Sequence, residues 1–228
     1  MARTGRHVSS RGTGRGLPAR EAPGSGDAEG VWVEIRTLLE ADRRAAARIY
    51  VAGLLDEEVR PLMPRHLARA ERVFAELIQP GVDSWVAEAE GRDVVGLALC
   101  QEPCGPPPSM IDWHIYRRNL PFVAAVRAKF VANYLYRVGL AEDAMYLQSL
   151  VVARGWEGRG VGSALVQFVC SVARERGYGS LALNVVDVNR RARRLYEYLG
   201  FSEVRSDPAG FYRPLVGWGA VDLMEKKL

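Results

Sequence analysis

"AMYLQSLVVA" at 144–153 reads as a strand, "WEGRGVGSAL" at 156–165 as a glycine loop running into a helix, and "SLALNVV" at 180–186 as another strand. A strand–helix–strand crossover at the centre of a chain commits it to a mixed α/β class. The crossover helix spans about 160–176, with Val161, Leu165, Phe168, Val169 and Val172 at helical spacing, and Gly177 and Gly179 end it. Gly158, Gly160 and Gly162 alternate at its start, where glycine weakens a helix. A loop of this kind suits close backbone approach to an anion, because the free N–H groups of a helix N-terminus carry the positive end of its dipole.

The flanking sequence supplies the other elements. "VWVEIR" at 31–36 reads as a first strand, and 43–55 as an Ala- and Leu-rich helix capped by Asp42. A second helix fits 65–79 and stops before Pro80-Gly81. "SWVAEAEGRDVVGLALC" is a hairpin around Glu90–Asp93. After the proline-stiffened loop 102–109, the spacing predicts a helix over 121–138. Phe122, Val126, Phe130, Tyr134 and Val138 line one face of it. A short helix over 189–200 capped by Asn189, then strands at "FSEVR" and 219–228, complete the chain.

Composition narrows the class. There is no apolar run of the roughly 18 residues a membrane span needs. The three cysteines, Cys100, Cys104 and Cys170, lack the spacing of a disulfide framework or a zinc site, so a reducing cytoplasm is the simplest setting. Residues 1–30 hold five arginines and three acids, half of the net charge of +4, leaving the remainder nearly neutral. That balance argues against a nucleic-acid partner. The Gly/Arg/Ser-rich tail 1–30 lacks apolar surface to offset its ordering entropy and is expected to be disordered, leaving one domain over 31–228.

Two familiar phosphate loops fail on inspection. "GVGSA" has no lysine for a P-loop, and Ser163 stands where a dinucleotide fingerprint needs its third glycine. The loop "EGRGVG" after "LQSLVV" instead resembles the acyl-CoA loop of the Gcn5-related N-acetyltransferase (GNAT) family. "NRRARRLYEYLGF" is similar to that family's second motif at Asn189, Ala192, Leu195, Tyr196, Gly200 and Phe201. The loop alone is a weak signal; loop and second motif with a strand between them are a strong one.

The resemblance implies a GNAT-like α/β fold, a central and mostly antiparallel sheet flanked by helices. It implies acetyl-CoA as co-substrate and no metal. The implied cofactor-binding residues are Leu150, Val151 and Val152 on the strand, Glu157, Gly158, Arg159, Gly160, Val161, Gly162 and Ser163 in the loop, and Asn189 and Tyr196 downstream. Leu150 would polarise the thioester carbonyl through its N–H, Val152 would pair with the pantetheine, and Tyr196 would protonate the leaving sulfur. Tyr198, off the motif, is expected to be structural. Glu157 departs from the family's Gln or Arg and should oppose a pyrophosphate unless it turns away, with Arg159 available to offset it.

The general base is left open. Tyr146 and Gln148 occupy the strand positions where relatives carry Glu or His, and neither is a good base at neutral pH. Glu142, Asp143 and His114 are further candidates. The segment 102–140 is expected to shape the acceptor site, with Trp113, Tyr116 and Phe122 as an aromatic wall or as core. The expected acceptor is a small-molecule primary amine. A peptide or protein amine, or a non-catalytic acyl-CoA-binding module of the same fold, are the alternatives. The resemblance also admits a homodimer.

Overall fold

The computed structural model describes residues 20–21, 32–81, 83–91, 93–102, 109–135 and 143–228. Its strands are β1 (Arg20–Glu21), β2 (Val33–Thr37), β3 (Ser84–Ala89), β4 (Val94–Gln101), β5 (Ala144–Val152), β6 (Ser180–Val186), β7 (Ser202–Pro208) and β8 (Ala220–Lys227). They form one sheet in the order β1-β2-β3-β4-β5-β6-β8-β7. Every neighbouring pair is antiparallel except β5–β6. Apart from the two residues of β1, the tail at 1–30 lies outside the described residues, as do Glu142 and Val138.

Helices cover both faces of the sheet. One face carries α1 (Arg43–Gly53), α2 (Arg60–Leu62), α3 (Ala70–Leu77), α4 (Trp113–Asn119) and α5 (Phe122–Leu135). The other carries α6 (Val161–Glu175) and α7 (Arg190–Tyr198). A last turn of helix, α8 (Arg213–Val216), precedes β8. The apolar stripe of α6 is buried at Val161, Leu165, Val166, Val169 and Val172, following its helical spacing. α6 sits close on the sheet: a Cβ on Gly96 of β4 would come within 2.8 Å of Leu165 Cδ1.

Two expectations change. Asp42 does not cap α1 through its side chain. Its carboxylate accepts from both terminal nitrogens of Arg36, at 2.6 and 3.0 Å, and from the Leu39 N–H at 2.8 Å. On α5 the fourfold face of Phe122, Val126 and Phe130 points outward and is 43–59% exposed. The helix packs instead through Ala125, Ala128, Val131 and Ala132. Small residues let α5 approach its neighbours closely, and that contact decides which face goes in.

Candidate active site

The sheet opens at its middle. β5 and β6 pair in parallel only from Ala144↔Ser180 to Leu147↔Leu183, although β5 runs on to Val152 and β6 to Val186. The register of β4 against β5 shifts at the same level, from Leu99↔Ser149 to Cys100↔Leu147, so Gln148 is the extra residue of a bulge. Beyond the bulge, β5 stays with β4 and leaves β6. The Ala153 N–H donates to Val95 O at 2.8 Å, on the β4 side. Because backbone groups alternate along a strand, the Leu150 and Val152 N–H groups point the other way, into the gap.

A cleft of about 530 Å³ follows this gap and is lined by Leu150, Val151, Val152, Glu157, Gly158, Gly160, Gly162, Ser163, Asn189 and Tyr196, with Trp156, Arg191, Ala192 and Leu195. Gly158 and Gly160 have φ of +75° and +85°, a conformation other residues adopt only at a cost, and a Cβ on either would meet nothing within 4 Å. The loop therefore bends with left-handed backbone while leaving open ground in front of it. The first bond of α6 runs from the Ala164 N–H to Gly160 O at 2.9 Å. The N–H groups of residues 161–163 precede that ladder and face the cleft end of the helix. Gly162 has a packing role: a Cβ there would lie 3.3 Å from Leu195 Cδ2, so its absence lets α6 rest against α7.

Two of the expected cofactor-binding residues do not line the cleft. Val161 is 2% exposed and packs in the core beneath α6. Arg159 lies over the Trp156 ring, 5.4 Å from its centroid. The charge of Glu157 is met by Arg191 of α7, with which it forms a hydrogen-bonded ion pair. Arg191 also lines the cleft, so the loop carboxylate is neutralised from the second motif and not from within the loop.

Asn189 caps α7, its Oδ1 accepting from the Ala192 N–H at 3.1 Å, and the same side chain borders the cleft. Tyr196 is buried, with its ring centroid 5.7 Å from that of Phe201. Tyr198, one turn-face away, is 83% exposed. Tyr196 also lines a narrower chamber of about 90 Å³ on the far side of the gap, together with Glu57, Tyr146, Gln148, Leu150 and Asn184. Leu150 and Tyr196 thus stand where the two spaces meet.

The remaining base candidates fall elsewhere. The His114 N–H donates to Asp112 Oδ1 at 2.8 Å in the first turn of α4, and His114 lines neither space. The carbonyl of Asp143 receives the Gly179 N–H at 2.9 Å, at the closed end of β5. Tyr116 is fully buried and donates to Met110 O at 2.6 Å, while Trp113 and Phe122 meet edge to face, 6.2 Å between centroids. None of these three aromatics borders the gap.

Residues that sequence reading passed over come from α1 and the turn after it. Gly53, Leu54 and Glu57 border the cleft, and Leu54 and Glu57 also border the chamber. A Cβ on Gly53 would come within 2.3 Å of Val151 Cγ1, so α1 ends directly on β5. Gly53 next to a helix end was the available signal. Among the described residues no cluster of three or more His, Cys, Asp or Glu side chains is placed to hold a metal ion, and no helix is long and apolar enough to cross a membrane.

Comparison with known proteins identifies the family and the fold. The family model described as "Acetyltransferase (GNAT) family" matches residues 51–201. The chain is 37% identical over 65 residues to a probable N-acetyltransferase camello of Xenopus tropicalis, 28% of this chain and 30% of that protein. It is 38% identical over 63 residues to the streptothricin acetyltransferase of Streptomyces lavendulae, 28% of this chain and 33% of that protein. The matched part is about a third of the length of these curated relatives. Among solved structures, a GNAT superfamily phosphinothricin acetyltransferase from Sinorhizobium meliloti in complex with AcCoA superposes with a TM-score of 0.55. It shares 16% identity and the match covers 86% of this chain and 88% of that one, a likeness of fold.

Proposed function

Because the chain belongs to the acetyltransferase (GNAT) family, we propose that it is an acetyl-CoA-dependent N-acetyltransferase acting on a small primary amine. The observation that carries this reading is the divergence of β5 from β6. It frees the Leu150 and Val152 N–H groups at the junction of a cleft and a chamber, with Tyr196 beside them. The phosphate end of the cleft fits the co-substrate: left-handed glycines, open ground in front of them, and free amides at the start of α6.

Acetyl-CoA supplies an activated acetyl thioester. The Leu150 N–H donates to the thioester oxygen and stabilises the charge that develops there. The Val152 N–H holds the pantetheine arm in line, as an added strand would be held. The amine nitrogen, arriving from the chamber, forms the new C–N bond as the C–S bond breaks. Tyr196 gives its hydroxyl proton to the departing sulfur. Glu57 is the carboxylate that borders both spaces, and it receives the proton that the amine gives up. That assignment fills the role left open by Tyr146 and Gln148, neither of which is basic enough at neutral pH.

The small-molecule choice rests on the narrowness of the chamber, about 90 Å³, and on the similarity to a streptothricin acetyltransferase. A peptide amine is the alternative acceptor and a non-catalytic acyl-CoA-binding module the alternative role. The proposed setting is the cytoplasm. Release of free thiol from acetyl-CoA, measured against a panel of small amines and a panel of peptides with free N-termini and lysines, tests the reading. Amine-dependent release with small amines supports it. Release with peptides alone moves the acceptor to protein, and binding of acetyl-CoA without any release leaves the module.

A further inference from the structure

The chamber has a neighbour: Leu135, Asn184 and Val221 border both it and a further cavity of about 490 Å³ on the α5 side of the sheet. One wall of this cavity is aromatic. Tyr134 of α5 stacks on Tyr212 with centroids 4.0 Å apart and planes at 11°, and Phe130 stacks on the same Tyr212 ring at 5.1 Å and 27°. Trp218 backs Tyr134 at 5.9 Å and 20°, so the wall is held from behind.

Asp207 is the one charged side chain bordering the cavity among the described residues. Its position follows from register: Asp207 pairs with Val221, and Val221 with Val186. Cross-strand partners share a face, so Asp207 stands on the same side of the sheet as Val186, roughly 10 Å away across two strand spacings. The Tyr134 hydroxyl is buried and has no hydrogen-bond partner among the described residues. Burial first, and the charge of Asp207 second, hold the Tyr134 phenol above its ordinary pKa, so the wall stays neutral. Arg205 is the cation facing Asp207, its Nε 2.8 Å from Oδ2, with both side chains 51% exposed. An ion pair that open to water contributes little and yields readily to a competing cation.

Tyr134 and Tyr212 are each stacked on two neighbouring rings, which leaves Phe130, stacked on one side only and 43% exposed, as the ring with a face to offer; such a face beside a carboxylate forms a site for an organic cation. We propose that this cavity selects acceptors carrying a second positive charge: alkyl diamines or polyamines, whose distal ammonium rests against the Phe130–Tyr212 wall and Asp207 while the reacting amine lies in the chamber. The inference rests on the acetyltransferase reading for its reacting end and is independent of it for the distal one.

The test compares 1,8-diaminooctane with octylamine, matched in length and differing in the second charge. Binding is measured by calorimetry with CoA present, and kcat/KM by thiol release. The diamine should bind better by roughly ten-fold, the scale of a partly desolvated cation–π contact beside a carboxylate. Asp207→Asn should bring that ratio close to one, and Arg205→Ala, which removes the competing cation, should raise it. Both positions are exposed, and an unchanged melting temperature checks folding. Equal binding of the two amines by the wild type, or an equal loss for both in Asp207→Asn, overturns the proposal. Preferential diamine binding with no thiol release would keep the proposal and refute the catalytic reading. Failure to bind CoA at all would refute the glycine-loop assignment, with the cavity judged by the calorimetry of the amines alone.

Discussion

Gly160 separates two ideas about the glycine loop, that it must bend and that it must admit an anion. The residue caps α6 at φ +85°, is exposed, and has nothing within 4 Å of where a Cβ would stand. A substitution therefore meets backbone strain without a clash. Left-handed backbone costs an ordinary residue about 1–2 kcal/mol, and Asn and Asp less. As first residues before a helix, both also offer a side-chain oxygen to the free amides, which offsets part of that cost. Gly160→Asn and Gly160→Asp should consequently melt within a few degrees of each other. They differ in charge. A carboxylate roughly 6 Å from a pyrophosphate charge costs about 1–3 kcal/mol across effective dielectrics from near water to near 20. CoA affinity should therefore fall by roughly 5- to 150-fold more in Gly160→Asp than in Gly160→Asn. Calorimetry at low salt measures the gap, and high salt should narrow it. Equal affinities for the two variants at low salt would refute a phosphate at this loop.

Three further outcomes follow. Tyr196→Phe should lower turnover by about 10²–10³-fold with little change in acetyl-CoA affinity, since a lost acid acts in the transition state, while Tyr198→Phe should alter neither. Arg191→Ala should weaken CoA binding by exposing the charge of Glu157, and Glu157→Gln should restore much of the loss in the double variant, a coupling that a thermodynamic cycle reads directly. The hydrogen bonds from Arg36 hold the Asp42 carboxyl below its ordinary pKa, so their contribution to stability is complete above the unfolded value of about 3.9 and fades as pH falls through the folded one. The difference in melting temperature between wild type and Asp42→Asn should accordingly shrink below about pH 4.

The stretch from β5 to α7 was legible because its signals are local. Strand alternation, helical spacing on α6 and glycines at forced φ are written within a few residues of each other. The bulge at Gln148 was not, since it arises from register against β4, some 50 residues earlier. The inward face of α5 cannot be read locally for a related reason. Hydrophobicity favours Phe122, Val126 and Phe130, but close packing favours the alanines, and the neighbours decide. Short helices α4 and α8 carry too few residues to show a period. The candidate site itself draws Glu57 from the turn after α1, and no local pattern announces that carboxylate. Arg191 was in plain view within the second motif; its pairing with Glu157 needed the fold to bring α7 beside the loop.

In the proposed reaction, the backbone amides freed by the β5–β6 divergence, together with those of the glycine loop, hold acetyl-CoA. Backbone amide resonances of the full chain, followed by NMR during titration with acetyl-CoA, test this arrangement. Saturable shifts are expected for the N–H groups of Leu150, Val152, Gly158 and Gly160, with those of Ser149 and Val151, which face β4, moving far less. Saturable binding that leaves Leu150 and Val152 unmoved and shifts another surface of the protein would contradict it.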